Sequence, residues 1–596
     1  MVAHLPDHTR YRQSLQGVQK LLEAIPGARP LTEKELSYYG NEFSDGWEIP
    51  RQSMGTGKYS LRVLLPASVP FSSPRVAAWP APSLLEWPHL EAKGMLCLLS
   101  DSSAFSTRDC AGVVRDLLTD AVKLVNDSAA GVNSIDFEDE FQSYWVRWDS
   151  IGKDFFYVLC RPEGPSRWVS SWRTQTGVYI AEDDGALLKW LRNRKSDKDF
   201  KANNVQKMPL LWLPRPLRPD EYPTRVNHLH TVLKILAVDN TMVKELLLNE
   251  ALRYKDVAIG FAGRNGVAFA GLCISKPTIT LNKGYHQRPP EDIVLMRYRG
   301  SKISGSCAVR LDASWIHGRD HNPQIQKLST TTVVIFGVGS LGSFVAELLA
   351  MSGVGRILLV DPEQLASENP ARHRLGLNSL HMYKATTMAR RLAARFPHLD
   401  IAGYDMTCED FCEKELPSIG NPDLLISTIG SWRSEGWLNA MAVSSFISSP
   451  ILYGWTEPHA TAGHAVVFHK EQGCLNCIRD NMGRPKIPIT IWPEEGTLKA
   501  VPACGGFFQP YGAVEVSHVH SLIADLALDI LLGNITVSAH RVWIGAKKMI
   551  ERAGGRWNPA WGESHGDPGE GGLSKEIPVS PDAECPECSH SGKHIP

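Results

Sequence analysis

The residues of this 596-residue chain that could do chemistry fall into four groups. The first is a turn, VIFGVGSLG, in which Gly337, Gly339 and Gly342 stand as G-x-G-x-x-G between a strand-like and a helix-like run. Such a turn lets backbone N–H groups approach a phosphate at a helix N-terminus. Asp361 closes the next strand-like run, where an acid can meet a ribose hydroxyl. The glycines alone fit a nicotinamide enzyme as well as any other nucleotide binder. The residues beyond Asp361 separate these readings. In DPEQLASENPARHRLG, Asn369 and Arg372 come eight and eleven residues after the acid, with Lys384 a short helix later. Hydride transfer has no general need of an amide, a guanidinium and an ammonium at the phosphate end of its ligand. Attack on the α-phosphate of ATP does need them, because charge builds there as pyrophosphate leaves. The plain alternative is a set of surface charges.

The other three groups are cysteines. Cys474-Leu-Asn-Cys477 and Cys585-Pro-Glu-Cys588 each place two thiolates in one tight turn, and together they complete a tetrahedral Zn2+ shell. Two redox or incidental pairs are the competing reading, since over a hundred residues separate them. Cys504, in VPACGGFFQPYG, lies on a Gly/Pro-rich loop before a long helical run. A thiolate there could attack an acyl-adenylate and keep most of its activation; a lone cysteine can equally be a small buried side chain. Cys97 lies in WPHLEAKGMLCLL, eight residues after His89. The bland version is a buried strand cysteine with His89 as a cap. Cys110, at the start of the following helical run, competes with Cys97 as nucleophile, because helix N-termini lower thiol pKa values.

The elements that must hold these groups read as an α/β multidomain protein. Hydrophobic residues make up 43% and charged residues 21%, with a net charge of -1, which gives no global pull toward nucleic acid or membrane. No apolar run has the roughly 18 residues of a membrane span, and MVAHLPDHTRYRQSLQG has no apolar signal-peptide core. A cytoplasmic protein is expected. Residues 1–134 read as an α+β unit that opens on an amphipathic helix and ends on CAGVVRDLLTDAVKLVND. Residues 135–326 alternate short strand-like runs with proline-rich joints, a mixed, β-rich linker broken by one helix, HTVLKILAVDNTMVKELLLNEALR. From 327 to 596 the strands VVIFGV, RILLVD, DLLIST and HAVVFH alternate with helices as in a Rossmann-like fold, and a Gly/Pro-rich tail carries the last cysteine pair.

The run from Asp361 through Asn369 and Arg372 to Lys384 resembles the adenylation domain of the ubiquitin-activating, ThiF and MoeB group. That resemblance implies that Asp361 holds the ribose, that Asn369, Arg372 and Lys384 bind the triphosphate with Mg2+, and that the cysteine quartet holds a structural zinc. It gives Cys504 the role of thioester acceptor. The chain departs from the group at Gly430, where a metal-binding acid is usual; another carboxylate serves, or phosphates and water hold the ion. In the first domain VPFSSPRV resembles the Y-P-F-x-x-P segment of ubiquitin-conjugating enzymes. Trp87-Pro88-His89 falls at the place of His-Pro-Asn, with Cys97 at the interval of the catalytic cysteine. His89 then replaces the asparagine, as hydrogen-bond donor or proton acceptor.

Together the two ends resemble the activating–conjugating fusion proteins of CBASS anti-phage operons. The resemblance implies a relay from adenylate to Cys504 to Cys97 to a target amine. It also implies a homodimer, and a cGAS-like nucleotidyltransferase whose C-terminus is activated. Arg319, in HGRDHN, could serve as the charged finger toward ATP or be a surface arginine. A sulfur-carrier adenylyltransferase of the ThiF and MoeB kind, and a non-enzymatic adaptor on a degenerate adenylation fold, are the distinct alternatives.

Overall fold

The computed structural model describes residues 8–99, 105–194, 204–469, 472–493, 497–500 and 507–589. Cys504 lies outside the described residues. Described residues fall into two compact units, one within 1–182 and 204–309, the other within 183–203 and 310–596. Among them no helix is long and apolar enough to cross a membrane.

The first unit begins with helix His8–Glu23 and a sequential antiparallel sheet of Arg29–Pro30, Phe43–Ile49, Ser60–Pro66 and Arg75–Trp79. Strand Ser60–Pro66 buries five consecutive residues, as a strand covered on both faces must. Helix Cys110–Ala129 starts where the Asp109 side chain accepts the Gly112 N–H. Its Val114, Leu118, Ala121 and Val125 recur at helical spacing and share one core with Val18, Leu22, Val63 and Leu65. Between sheet and helix, LCLL forms no strand; Leu96 makes an isolated bridge to Leu90.

The β-rich region closes into a seven-stranded barrel. Around it run Gly266–Ile274, Ile303–Arg310, Ile151–Val158, Gly177–Ala181, Arg167–Arg173, Gln206–Trp212 and Asp256–Gly263. The helix expected over HTVLKILAVDNTMVKELLLNEALR is two, Val226–Ile235 and Thr241–Leu248. Ala237 takes φ +54°, and the Asp239 carboxylate accepts both the N–H and hydroxyl of Thr241, a local bond that competes with helix continuation. Apolar periodicity hid the break because both helices bury the same side: Leu229, Val232 and Leu233 share a core with Val243, Leu246 and Leu247.

The second unit is an eight-stranded sheet ordered Asp400–Tyr404, Arg356–Val360, Thr332–Phe336, Leu424–Ser427, Ile451–Thr456, Ala462–Val467, Ala539–Ile544, Leu573–Ile577. The first five are parallel and the rest antiparallel. Helices Gly342–Met351, Lys384–Arg395 and Ala513–Leu532 cover one face, while Cys408–Lys414 and Trp432–Val443 cover the other. The segment read as a trailing tail contributes the last two strands, so it is part of the sheet. Strand order reverses between Thr332–Phe336 and Leu424–Ser427, and the crevice at such a reversal is where open α/β sheets bind ligands.

Candidate functional site

The glycine turn lies at that reversal, and its three glycines are required for different reasons. Gly337 takes φ +83° and lies so close to Ile429 that a Cβ would be 2.9 Å from that residue's backbone. A Cβ on Gly342 would be 1.9 Å from the Gly337 carbonyl, so only glycine lets the helix start there. Gly339 differs: a Cβ there meets nothing within 4 Å. Its bareness serves no packing and leaves open space at the turn, which suits a phosphate approaching backbone N–H groups.

Two histidines fix the turn from outside. His373 Nε2 lies 2.6 Å from the Val338 carbonyl, and its Nδ1 accepts the Leu375 N–H at 2.9 Å. The imidazole is therefore the neutral tautomer with its proton on Nε2. His520, on the long helix, donates to the Ser340 carbonyl at 2.8 Å and stacks on Phe344. Burial pushes both histidines down to about 4. The carbonyls on either side of Gly339 are thus held by neutral donors. Neither histidine stands out in the sequence, because His373 is one of many polar residues after Asp361 and His520 lies 180 residues from Ser340.

Asp361 is buried; its two carboxylate oxygens accept the Val338 N–H at 2.7 Å and the Glu363 N–H at 2.8 Å. Burial raises its pKa, and those two N–H donors and Lys384 oppose the rise. A carboxylate offers about four lone-pair sites, so ribose hydroxyls can still be accepted. Lys384 is buried at the start of its helix and pairs with Glu363 at 2.5 Å. Asn369 accepts the Ala366 N–H at 2.9 Å and shapes its own loop. Arg372 is half-buried, its guanidinium 4.5 Å from the centroid of the Tyr511 ring. The structure thus brings the glycine turn, Asp361, Arg372 and, through Glu363, Lys384 into one network. Gly430 takes φ +70° and donates its N–H to Glu435 at 3.4 Å. That carboxylate is committed to Arg479 at 2.7 Å in a buried pair, so it is not an open metal ligand. Arg319 is exposed at the end of helix Ala313–Gly318.

Cys97 occupies a loop of unusual backbone in the first unit. His89 and Lys93 take φ +55° and +64°, and a Cβ on Gly94 would be 2.5 Å from the Ala78 carbonyl. The Cys97 N–H donates to the His89 carbonyl at 2.8 Å, and the side chain is exposed. Although it reaches solvent, the packed loop beneath it pushes the thiol up; Glu91 and Glu140 add to this, while Arg75 and Arg147 oppose it. His89 is gripped by the short helices Asp136–Asp139 and Phe141–Trp145. Its Nε2 lies 3.1 Å from Asp136, its Nδ1 3.6 Å from Glu140, and its N–H donates to the Tyr144 hydroxyl at 3.0 Å. Arg147 donates to the Leu90 carbonyl at 2.5 Å. Cys110 is buried, and burial and Asp109 push its thiol up to about 11, which disfavours it as nucleophile.

Cys474, Cys477, Cys585 and Cys588 converge with all four sulfurs within 4.8 Å of one another. Closest pairs are 3.5 Å (Cys474–Cys585) and 3.4 Å (Cys477–Cys588). A tetrahedral ion with Zn–S bonds of about 2.3 Å needs sulfurs roughly 3.8 Å apart, so the donor set fits Zn2+. The Cys474 thiol and the N–H groups of Asp582 and Cys474 favour a thiolate on Cys477.

Residues 317–546 match the ThiF family and residues 26–151 match prokaryotic E2 family B. The chain is 25% identical over 505 residues to an ATP-dependent ubiquitin transferase-like protein, Cap2, of Pseudomonas aeruginosa, covering 81% of this chain and 86% of that one. The Vibrio cholerae protein of the same name is 20% identical, covering 74% and 80%. A sulfur carrier protein adenylyltransferase of Thermus thermophilus is 26% identical over 35% of this chain and 72% of its own length. The chain thus carries a prokaryotic E2 family B domain ahead of a ThiF-family domain.

Proposed function

We propose that this protein activates the C-terminal carboxylate of a protein with ATP and conjugates it to an amine. The observation that carries the reading is the presence, on one chain, of a pre-shaped glycine-turn crevice with Arg372 and Lys384 and of an exposed Cys97 in an E2-family domain. The substrate carboxylate attacks the α-phosphorus and pyrophosphate leaves. Cys504 thiolate then attacks the acyl carbon, releasing AMP. Cys97 takes the acyl group by transthiolation, and a target amine displaces Cys97 to form an amide. Cys504 precedes Tyr511 by seven residues in the chain, and Tyr511 shares a hydrogen bond with the turn residue Ser340. Asp361 would receive the ribose; Asn369, Arg372 and Lys384 would hold the phosphates, and Mg2+ would accompany the triphosphate without Glu435, which is engaged by Arg479. The four cysteines would hold a Zn2+ that ties residues 585–588 to the domain; its contribution is structural.

Similarity to ATP-dependent ubiquitin transferase-like proteins supports the transferase chemistry. The resemblance to CBASS fusion proteins extends this reading to an anti-phage setting, with a cGAS-like nucleotidyltransferase as the activated protein and a homodimer as the working form. The sulfur-carrier adenylyltransferase relative favours a second reading, in which activation ends at the adenylate and the first domain plays no part in acyl transfer. A non-reducing gel of the enzyme with ATP and the candidate substrate separates them. Cys504→Ala should lose every thioester band, and Cys97→Ala should keep one and form no conjugate. Full conjugation by Cys97→Ala would refute the relay, and absent ATP–pyrophosphate exchange would make the chain a non-enzymatic adaptor.

A further inference from the structure

Tyr511 lies two residues before helix Ala513–Leu532, at the end of the stretch VPACGGFFQPYG that carries Cys504. It touches two separate parts of the crevice. Its ring lies under the Arg372 guanidinium, 4.5 Å from ring centroid to guanidinium carbon. Its hydroxyl shares a 2.8 Å hydrogen bond with Ser340 Oγ in the glycine turn. The ring is half-buried against the domain core. The backbone of Ser340 is anchored independently by His520.

We propose that Tyr511 is a positioning residue that sets Arg372 at a fixed distance from the glycine turn, so that both meet one triphosphate; this rests on the proposed ATP site. Stacking engages the face of a guanidinium, whereas phosphate oxygens bind its edge, so the ring and a ligand can hold Arg372 together. A long arginine side chain fixed before the ligand arrives loses less freedom on binding. The Ser340 bond gives the arrangement its register, because it ties the ring to the same turn whose N–H groups face the phosphates. Arg372, assigned to the triphosphate and not to the adenosine end, gains most on ATP from the charge that the β- and γ-phosphates add. AMP, which lacks those phosphates, is therefore the control ligand.

Calorimetric titration of the full chain with ATP and Mg2+, and separately with AMP, tests this. Tyr511→Ala should weaken ATP about tenfold and AMP by less than about twofold. Arg372→Ala combined with Tyr511→Ala should weaken ATP no more than Arg372→Ala alone, because the two act as one unit. Should Tyr511→Ala fail to fold, Tyr511→Phe and Ser340→Ala carry the same test: each should weaken ATP by about twofold to threefold, and together no more than singly. Equal weakening of ATP and AMP, or additive losses in either double variant, would overturn the proposal. An unmodified chain that binds AMP but not ATP, or neither, would overturn the ATP site itself, an outcome visible before any variant is made.

Discussion

The glycine-turn crevice and the Cys97 loop solve the problem of holding reactive backbone in opposite ways. The crevice is built into the reversal of a sheet covered on both faces, and its groups are buried: Asp361, His373, Lys384 and His520 are all nearly inaccessible. The Cys97 loop lies over the edge of a small sheet, keeps its cysteine exposed, and depends on four side chains from the two short helices after Ala129 and the residues beside them. A group that must hold a polyanion gains from a dry, pre-arranged cage. Under the proposed relay the Cys97 thiol would meet two protein partners in turn, so it has to stay at the surface and only its backbone can be fixed.

The sharpest test of the buried cage is a pair of alanines three residues apart. Gly342→Ala forces a Cβ against the Gly337 carbonyl and should cost about 4 kcal/mol or more in thermal unfolding, the range of severe backbone clashes. Gly339→Ala meets no atom and should change stability by about 0.5 kcal/mol or less, yet weaken ATP about tenfold or more by filling the phosphate space. Equal stability losses would mean that the turn is only a packing device.

Acid should attack the cage next. Burial lowers His373 and His520 from 6.5 to about 4, so the unfolded chain binds more protons between those values. Their contribution is complete above pH 6.5, falls as pH drops through the window, and is gone below pH 4, about 3 kcal/mol for each at most. Asp361, raised by burial, works the other way, but nearer the carboxylate range. Urea unfolding from pH 7 to 5 should therefore show a slope that His373→Gln and His520→Gln each flatten; an unchanged slope in both would show that these two histidines do not titrate with unfolding.

The contrast also explains what could be read in advance. Gly337, Gly339, Gly342 and Asp361 lie within one strand–helix–strand passage, where local spacing carries the geometry, and the two C-x-x-C pairs announce their ligands by type. His520 and Tyr511 reach the turn from a helix and loop more than 170 residues away, a proximity that only the folded sheet creates. The Cys97 interval is visible from Trp87, but Asp136, Glu140, Tyr144 and Arg147 fall beyond residue 134, where the composition places the end of the first domain. Closure of the barrel is hidden for a related reason: the pairing of short strands depends on partners distant in sequence.

The Cys97 loop, with fewer supports, should respond to single hydrogen bonds. Tyr144→Phe leaves the His89 N–H without its acceptor and frees Glu140 from the tyrosine hydroxyl. A loss of about 1–2 kcal/mol is expected in the first unit, together with faster hydrogen exchange at His89 and Cys97. No change in exchange at those two amides would show that the loop holds itself.

The smallest effect concerns the thiol. Packing beneath the loop, Glu91 and Glu140 push Cys97 above the ordinary thiol range, with Arg75 and Arg147 opposing them. Only a small fraction is thiolate at neutral pH, so alkylation of the free enzyme should be slower than for an unperturbed thiol and climb with pH past its usual midpoint. Removing an acid should bring the climb to lower pH and removing a cation to higher pH: Glu140→Gln shifts the profile down and Arg75→Gln up, both modestly because these neighbours are partly exposed. Opposite shifts, with the fold intact, identify electrostatics as the control, because a loosened loop would move both profiles the same way. A thiol held mostly protonated suits an exposed site that must not react with every electrophile it meets. Under the proposed relay, transthiolation would have to include loss of the Cys97 proton, a requirement that the buried crevice, whose proposed chemistry begins from a carboxylate already ionised, would not share.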